Sequence, residues 1–178
     1  LIYFDPESAF NDTVVGVSPS SPVPPYASQL NPATVGSESW GVEWVSWHEN
    51  QFIIAECQYN LGQEETALST LNNILSNLEQ RWRLFEPGCQ LPRYTNINGA
   101  DLIAAIMNEK YKAMFLNIQT LSDWRRTGYP IFQDRHGNST ECDGGTPRRL
   151  LYPEIEKKTN SNVPPGDSIF DRVENDPS

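Results

Sequence analysis

The sequence predicts an all-α protein in which a helical hairpin and a third long helix carry an extensive coat of irregular loops. Apolar residues recur at helical spacing between residues 46 and 121, and the segments on either side are rich in Pro, Gly and Ser. A capping-box pattern marks the start of the periodic region. With 178 residues the chain can bury a core, so we expect a single domain over residues 1–178.

The first 45 residues are predicted to form an irregular segment that runs over the surface. Residues 1–39 contain six prolines and many serines, and their apolar residues show no helical period. The chain opens on the apolar stretch LIYFDP, which resembles the interior of a polypeptide. We therefore expect the chain to be the C-terminal part of a larger protein.

The periodic region begins with a hairpin of two helices. Ser46 and Glu49 are three residues apart, as in a capping box, and a helix near residues 47 to 60 then stops at Gly62. A second helix, near residues 64 to 84, has one apolar stripe formed by Ala67, Leu68, Leu71, Ile74, Leu75 and Leu78. The short connection predicts that the two helices pack antiparallel.

A third helix is predicted near residues 100 to 121, with Asn98 as its N-cap before Asp101. Its apolar residues at helical spacing are Leu102, Ile103, Ile106, Met107, Met114, Ile118 and Leu121. Residues 122–178 show no sustained period after Pro130, so we expect them to be an irregular C-terminal coat.

The formal net charge of −10 is concentrated in one half of the chain. Residues 1–80 contain ten Asp or Glu and no Lys or Arg, whereas residues 81–178 contain thirteen of each sign. An acidic half repels polyanions, and the other half has no net charge. The composition therefore argues against a nucleic-acid partner and against charge-driven binding to anionic membranes.

Metal chemistry and cofactor binding are not expected. The cysteines show no C-x-x-C spacing, and His48 and His136 are too few and too far apart for the usual zinc spacings. Cys89 and Cys142 both lie in Pro- and Gly-rich loops, whereas Cys57 lies in a helical pattern. The first two form a disulfide or remain free thiols, depending on the redox compartment.

The sequence shows no active site. It contains no G-x-S-x-G elbow, neither histidine has a recognisable nucleophile beside it, and no pair of glycosidase carboxylates stands out. The loop DRHGNSTECDGG carries hard oxygen ligands that suit calcium, but without EF-hand spacing, and it is otherwise a solvated loop. We therefore expect a protein that is not an enzyme.

Aromatic residues are the best candidates for ligand binding. Trp40, Trp44 and Trp47 lie just before or at the first helix, and Tyr26 lies in the Pro-rich segment. An indole face suits the C–H face of a pyranose ring, although large aromatics are often buried for their area. We expect Trp40, Trp44 and Tyr26 to be the ligand-binding residues, with Trp40 the most exposed because it lies furthest from the helix.

Two adjacent arginines end the third periodic segment, in the stretch LSDWRRTGYP. Arginine presents a planar fork of donors that suits a carboxylate, so an internal ion pair is the favoured interpretation and a contact with a ligand or transporter the alternative. A second arginine pair, Arg148 and Arg149, precedes Tyr152 and Pro153. The expected structural clasp consists of Glu109, Asp123, Arg125, Arg126, Arg148 and Arg149.

Several stretches together resemble a known family. AECQYNLGQEETALSTLNNIL is similar to a tetratricopeptide-like helix pair, and IMNEKYKAMFLNIQTLSDWRRTGYP followed by TPRRLLYPEIEKKTNSNVP resembles the C-terminal region of SusD/RagB-type lipoproteins. The resemblance covers roughly residues 45–165. The order of a Glu-Lys helix, W-R-R-T-G-Y-P and P-R-R-x-x-Y-P carries its specificity.

The resemblance implies a SusD-like all-α scaffold that binds nutrient oligosaccharides without catalysis. It implies an N-terminal lipid anchor on the outer membrane of a Bacteroidetes-type bacterium, facing the cell surface, and delivery to a SusC-like TonB-dependent transporter. The N-terminal part of the same protein, which this sequence lacks, would complete the scaffold. Two alternatives remain open: capture of peptides, and a tetratricopeptide-like adaptor that binds a protein and no small ligand.

Overall fold

The computed structural model describes Tyr3 and residues 30–41, 43–132 and 150–163. These residues form five helices and no strand, which confirms the predicted all-α class. The helices are α1 (Trp47–Asn60), α2 (Glu64–Trp82), α3 (Gly99–Ala113), α4 (Gln119–Thr127) and α5 (Glu154–Thr159). The chain divides into two compact units, Leu1–Phe115 with α1 to α3 and Leu116–Ser178 with α4 and α5.

Helix α1 begins and ends where the sequence predicts. Ser46 is extended, and its Oγ accepts a hydrogen bond of 3.0 Å from the Glu49 amide, which satisfies one of the free donors of the first turn. The helix ends at Asn60 and is followed by Leu61 and Gly62, whose φ of 74° is left-handed and therefore favours glycine. The chain then reverses direction, and α2 begins at Glu64.

Helices α1 and α2 form an antiparallel hairpin, as predicted. His48 at the start of α1 bonds Asn77 near the end of α2, while Gln58 near the end of α1 accepts a hydrogen bond from Thr70 early in α2. The apolar stripes of the hairpin and of α3 form the core of the first unit. Its fully buried large side chains include Phe52, Leu71, Ile74, Leu75, Leu102, Ile106 and Met107.

The third helix is shorter than its periodicity predicts. α3 ends at Ala113, and Leu116 adopts a left-handed φ of 68°, which no helix residue can keep. A new helix starts after Asn117, whose Oδ1 accepts from the Gln119 amide at 2.9 Å. The stretch predicted as one helix over 100–121 is therefore two helices in two units.

The second unit contains more helix than expected. α4 carries the WRR stretch and ends at Gly128, which has a φ of 74° and donates its amide to the Trp124 carbonyl at 2.8 Å. Trp124 is buried and packs on Phe132 with ring centroids 5.7 Å apart. α5 lies in the predicted irregular coat, so residues 122–178 are not irregular throughout.

The connection between α2 and α3 is held by side chains of α2. Asn72 donates its side-chain amide to the Tyr94 carbonyl at 2.8 Å and accepts from the Tyr94 amide at 3.0 Å. Glu79 accepts from the Leu91 amide at 3.0 Å and pairs with Arg83 and Arg93. The Leu91 amide, followed by the arginines, lowers the pKa of Glu79.

None of the helices in the described part of the chain has the length and hydrophobicity that a membrane crossing requires.

Candidate functional site: an aromatic surface beside the start of α1

Five aromatic side chains of the first unit pack together and form what we call the aromatic cluster: Tyr3, Trp40, Trp82, Phe85 and Phe115. Tyr3 meets Trp82 edge-on at 5.3 Å between ring centroids and lies 4.7 Å from Phe115. Trp40 lies parallel to Trp82, with 6.4 Å between centroids and 6° between planes. Phe85 lies 6.0 Å from Trp40. These separations are typical of favourable aromatic contacts.

Two different parts of the sequence place the two indoles of this cluster. Trp82 continues the buried stripe of α2, four residues after Leu78, and only 6% of it is exposed. Trp40 ends a series of hydrogen-bonded turns in which the Thr34 and Gly36 amides donate to the Asn31 carbonyl. The Trp40 amide then donates to the Ser37 carbonyl at 3.1 Å, which fixes the backbone at the indole.

The most exposed tryptophan is Trp44 and not Trp40. Trp44 is 94% exposed, on the loop between Trp40 and the N-cap of α1. Trp40 is only half-buried and rests on Trp82 and Phe85, so the expectation that it would be the most exposed is wrong. Distance from the helix in sequence did not predict exposure, because the turns before Trp40 lead it back onto α2.

A salt bridge fastens the loop that carries Trp44. Glu43 accepts a hydrogen bond of 2.7 Å from Arg81, in the last turn of α2. The same guanidinium lies 5.9 Å from the Trp82 ring centre, a cation–π distance. Arg81 therefore links the exposed indole of Trp44, through its neighbour Glu43, to the aromatic cluster. We call the three exposed apolar side chains of this region, Trp44, Leu84 and Phe85, the aromatic surface.

His48 lies beneath the same loop. It is buried, its ring packs edge-on against Trp47 at 5.2 Å, and its Nε2 lies 2.9 Å from Asn77 Oδ1. Burial lowers the pKa of His48, and nearby Arg81 lowers it further, while Asn77 and Glu43 act in the opposite direction. The imidazole is therefore neutral at neutral pH and adds no positive charge to the site.

The remaining ligand-binding and disulfide predictions involve residues that the structure does not describe. Tyr26 lies outside the described residues, and so does Cys142. Cys89 is half-buried, and burial, followed by Glu79 and Glu86, raises the pKa of its thiol. The Cys89–Cys142 disulfide stays a prediction, as does the calcium-ligand loop at residues 134–143.

The described contacts of Glu109, the acid of the predicted clasp on α3, lie within its own unit. Glu109 is 4% exposed and accepts hydrogen bonds from the Tyr94 hydroxyl at 2.8 Å and from Lys112 at 2.7 Å. Tyr94 and Lys112 both belong to the same unit as Glu109. In the described residues Glu109 therefore binds these two side chains, whereas we expected it to bind Arg125 or Arg126. The sequence offered no signal for Tyr94, which reaches Glu109 only because Asn72 holds its backbone.

In the second unit one predicted ion pair is present. Arg126 donates to Asp123 at 2.8 Å, three residues earlier on α4. The Arg125 Nε is buried and has no hydrogen-bond partner among the residues that the structure describes. Arg148 and Arg149 lie outside the described residues. A pair at this spacing supports one helix and does not join distant segments.

Within the described ranges no group of three or more His, Cys, Asp or Glu side chains is arranged to hold a metal ion.

The predicted ligand-binding residues did not include Arg81, Phe85 or Tyr3. The stretch RWRLFEPG, which ends α2, contained the available signal for the first two, since aromatic and basic residues follow the stripe there up to a Pro-Gly stop. No local pattern marks Tyr3, which reaches the cluster from the far end of the chain. Comparison with protein-family models, curated proteins and solved structures finds no match.

Proposed function

We propose that this chain belongs to a SusD/RagB-type nutrient-binding lipoprotein and captures an oligosaccharide at the aromatic surface. The single observation that carries the proposal is the 94% exposed indole of Trp44 on a loop that the Glu43–Arg81 salt bridge fastens. Leu84 and Phe85 are exposed as well, and exposed apolar side chains that form a contiguous patch are typical of an interaction surface. A sugar ring is a suitable ligand, because its C–H face packs on the indole and its hydroxyls bond polar groups at the rim.

Several features of the site support binding without catalysis. The carboxylates close to the surface are engaged structurally: Glu43 binds Arg81, and Glu79 binds the Leu91 amide and two arginines. The buried imidazole of His48 bonds Asn77 and packs against Trp47. An aromatic face with fixed polar groups is an arrangement that binds and orients, so we propose that the protein is not an enzyme.

The finer fold assignment and the location belong to the same proposal. The antiparallel α1–α2 hairpin has the form of a tetratricopeptide-like helix pair, and the WRRT stretch of α4 is part of the motif that resembles SusD/RagB proteins. We accordingly place the protein at the outer-membrane surface, attached through an N-terminal lipid, where a SusC-like TonB-dependent transporter would receive the ligand.

A screen of the protein against arrayed oligosaccharides and a peptide library, followed by calorimetry, tests the proposal. We expect saturable binding of an oligosaccharide and at least about tenfold weaker binding by Trp44→Ala, equivalent to about 1.4 kcal/mol. Leu61→Ala removes an exposed apolar side chain at the opposite end of α1, outside the aromatic surface, and serves as the matched control. Binding of peptides alone would identify a peptide-capturing protein and contradict the saccharide assignment.

A second candidate function is a protein adaptor, and one observation favours it. The outer face of α1 carries Trp47, Ile54 and Leu61 at seven-residue spacing, and all three side chains are exposed. Such a stripe is typical of a helix that packs against another helix. The adaptor predicts no saccharide binding by the wild type, together with loss of a protein partner on Ile54→Asp, which leaves Trp44 unchanged.

A further inference from the structure

We propose that the aromatic surface selects uncharged oligosaccharides and rejects those that carry uronate or sulfate groups. The inference rests on the proposed function and specifies its substrate class. It is drawn from the charges of the segments that carry Trp44 and the end of α2, and from the contacts that occupy Arg81, Arg83 and Arg93.

The segments that build the surface carry an excess of negative charge. Residues 38–49 and 79–86 contain five glutamates and two arginines. Among the ion pairs of the described residues, none involves Glu38 or Glu49. The Trp44 loop segment itself, residues 38–49, contains Glu38, Glu43 and Glu49 and no Lys or Arg. An anionic sugar stacked on Trp44 would therefore be repelled by the charge of its own loop, whereas a neutral sugar would not.

The neighbouring guanidinium groups are committed to contacts within the chain. Arg81 binds Glu43, and Arg83 binds Glu79 and the Cys89 carbonyl. Arg93, the next arginine along the chain, binds Glu79 and the carbonyls of Leu91 and Pro92. A bidentate contact with a uronate would require one of these arginines to leave its carboxylate, so the surface lacks the group that recognises anionic sugars best.

The start of α1 is another feature of the described residues that attracts anions, and it already holds a carboxylate. A helix N-terminus carries partial positive charge and free amide donors. Ser46 Oγ accepts from the Glu49 amide, and the Glu49 carboxylate lies in the first turn of the helix. This fixed negative charge opposes the helix dipole at the place nearest to Trp44.

The test compares neutral hexasaccharides with an oligogalacturonate hexamer by calorimetry, at about 10 mM and about 0.15 M salt, where charges are screened over about 30 Å and 8 Å. At low salt we expect the uronate ligand to bind at least about tenfold more weakly than the neutral one. At the higher salt the difference in affinity should be smaller, because the repulsion is screened. Affinity for the neutral ligand should not depend on salt.

Charge variants locate the effect. Glu49→Gln should reduce the difference in affinity between the neutral and the uronate ligand, because it removes the negative charge at the start of α1. Glu65→Gln is the matched control, since Glu65 occupies the first turn of α2 at the opposite end of the hairpin and should leave that difference unchanged. Melting temperatures close to that of the wild type would establish that both variants fold.

Two other outcomes overturn the inference in distinguishable ways. Equal or tighter binding of the uronate hexamer at low salt, still abolished by Trp44→Ala, would contradict the charge selectivity and leave the proposed function standing. Failure of every oligosaccharide, neutral or charged, to bind the folded protein would contradict the proposed function and the selectivity together.

Discussion

His48 on α1 and Asn77 on α2 share a hydrogen bond of 2.9 Å between Nε2 and Oδ1. The bond joins the first turn of one helix to the last turns of the other and lies beneath the loop that carries Trp44. Because burial lowers the pKa of His48, the native protein holds this ring neutral under conditions where an exposed histidine takes up a proton. The stability of the hairpin and the pH are therefore linked.

Acidification should destabilise the protein through His48. Below the ordinary histidine pKa of about 6.5, the unfolded chain binds a proton that the native state resists, so the free energy of unfolding falls as the pH falls. Denaturant melts between about pH 5 and 7.5 measure this loss. His48→Gln keeps a hydrogen-bonding side chain without a titrating group. Its stability should vary less over the same range, and identical curves for the two proteins would contradict the role of His48.

Trp44 and Trp82 should separate binding from stability. Trp82→Ala removes a buried indole from the aromatic cluster and should cost about 3 to 5 kcal/mol of unfolding free energy. Trp44→Ala removes an exposed side chain and should change the unfolding free energy by no more than about 0.5 kcal/mol. Chemical denaturation of both variants measures the two values. A large stability loss in Trp44→Ala would show that the indole packs within the protein and does not serve as a platform.

Neutralising Glu43 should affect ligand affinity more than stability. The Glu43 and Arg81 side chains are 45% and 35% exposed, and such pairs contribute about 0 to 1 kcal/mol. Their role here is positional, since Glu43 is the neighbour of Trp44. We expect Glu43→Gln to weaken oligosaccharide binding several-fold with little change in melting temperature, and Arg81→Gln to have no further effect in that background. Full additivity of the two substitutions would mean that they act independently.

Removing the Tyr94 hydroxyl should destabilise the first unit. Tyr94 donates to the buried carboxylate of Glu109, and a hydrogen bond to a charged group contributes about 1.5 to 3 kcal/mol. Tyr94→Phe should lose roughly that amount in a denaturant melt, while Tyr59→Phe, whose hydroxyl makes no hydrogen bond with a described residue, should lose far less.

An alkaline titration examines the same contact. Burial, followed by the contact with Glu109, raises the pKa of Tyr94 to about 12. The contribution of this group to stability should persist below the ordinary tyrosine pKa of about 10 and disappear as the pH rises towards 12. Phenolate absorbance of the wild type and of Tyr94→Phe, recorded while both are folded, should coincide near pH 10. A difference there would mean that Tyr94 titrates as an exposed tyrosine.

The hairpin was predictable because its signals are local. The capping box at Ser46, the stop at Gly62 and the stripe of α2 each depend on neighbouring residues, and the structure agrees with all three. The break after α3 was not predicted, because apolar spacing continues through Met114 and Ile118 whatever the backbone does between them. Asn117 was the overlooked signal, since its side chain begins the turn into α4.

The site was less predictable than the fold. Trp44 is more exposed than Trp40 because the turns before Trp40 return the chain to α2. The Glu43–Arg81 pair joins residues that are 38 positions apart in the sequence. Tyr94 reaches Glu109 only through the bonds that Asn72 makes. Each of these contacts is set by tertiary packing, which residue spacing does not reveal.

The side chain of Asn72 presents to Tyr94 the donor and acceptor that a neighbouring strand would present. Tyr94 lies in no helix or strand, yet its amide proton should exchange with solvent deuterium slowly, at a rate governed by opening of α2. The Leu91 amide, bound to Glu79, should exchange slowly as well. Asn72→Ala would remove both the donor and the acceptor, so the protection of the Tyr94 amide should be lost while α2 remains folded.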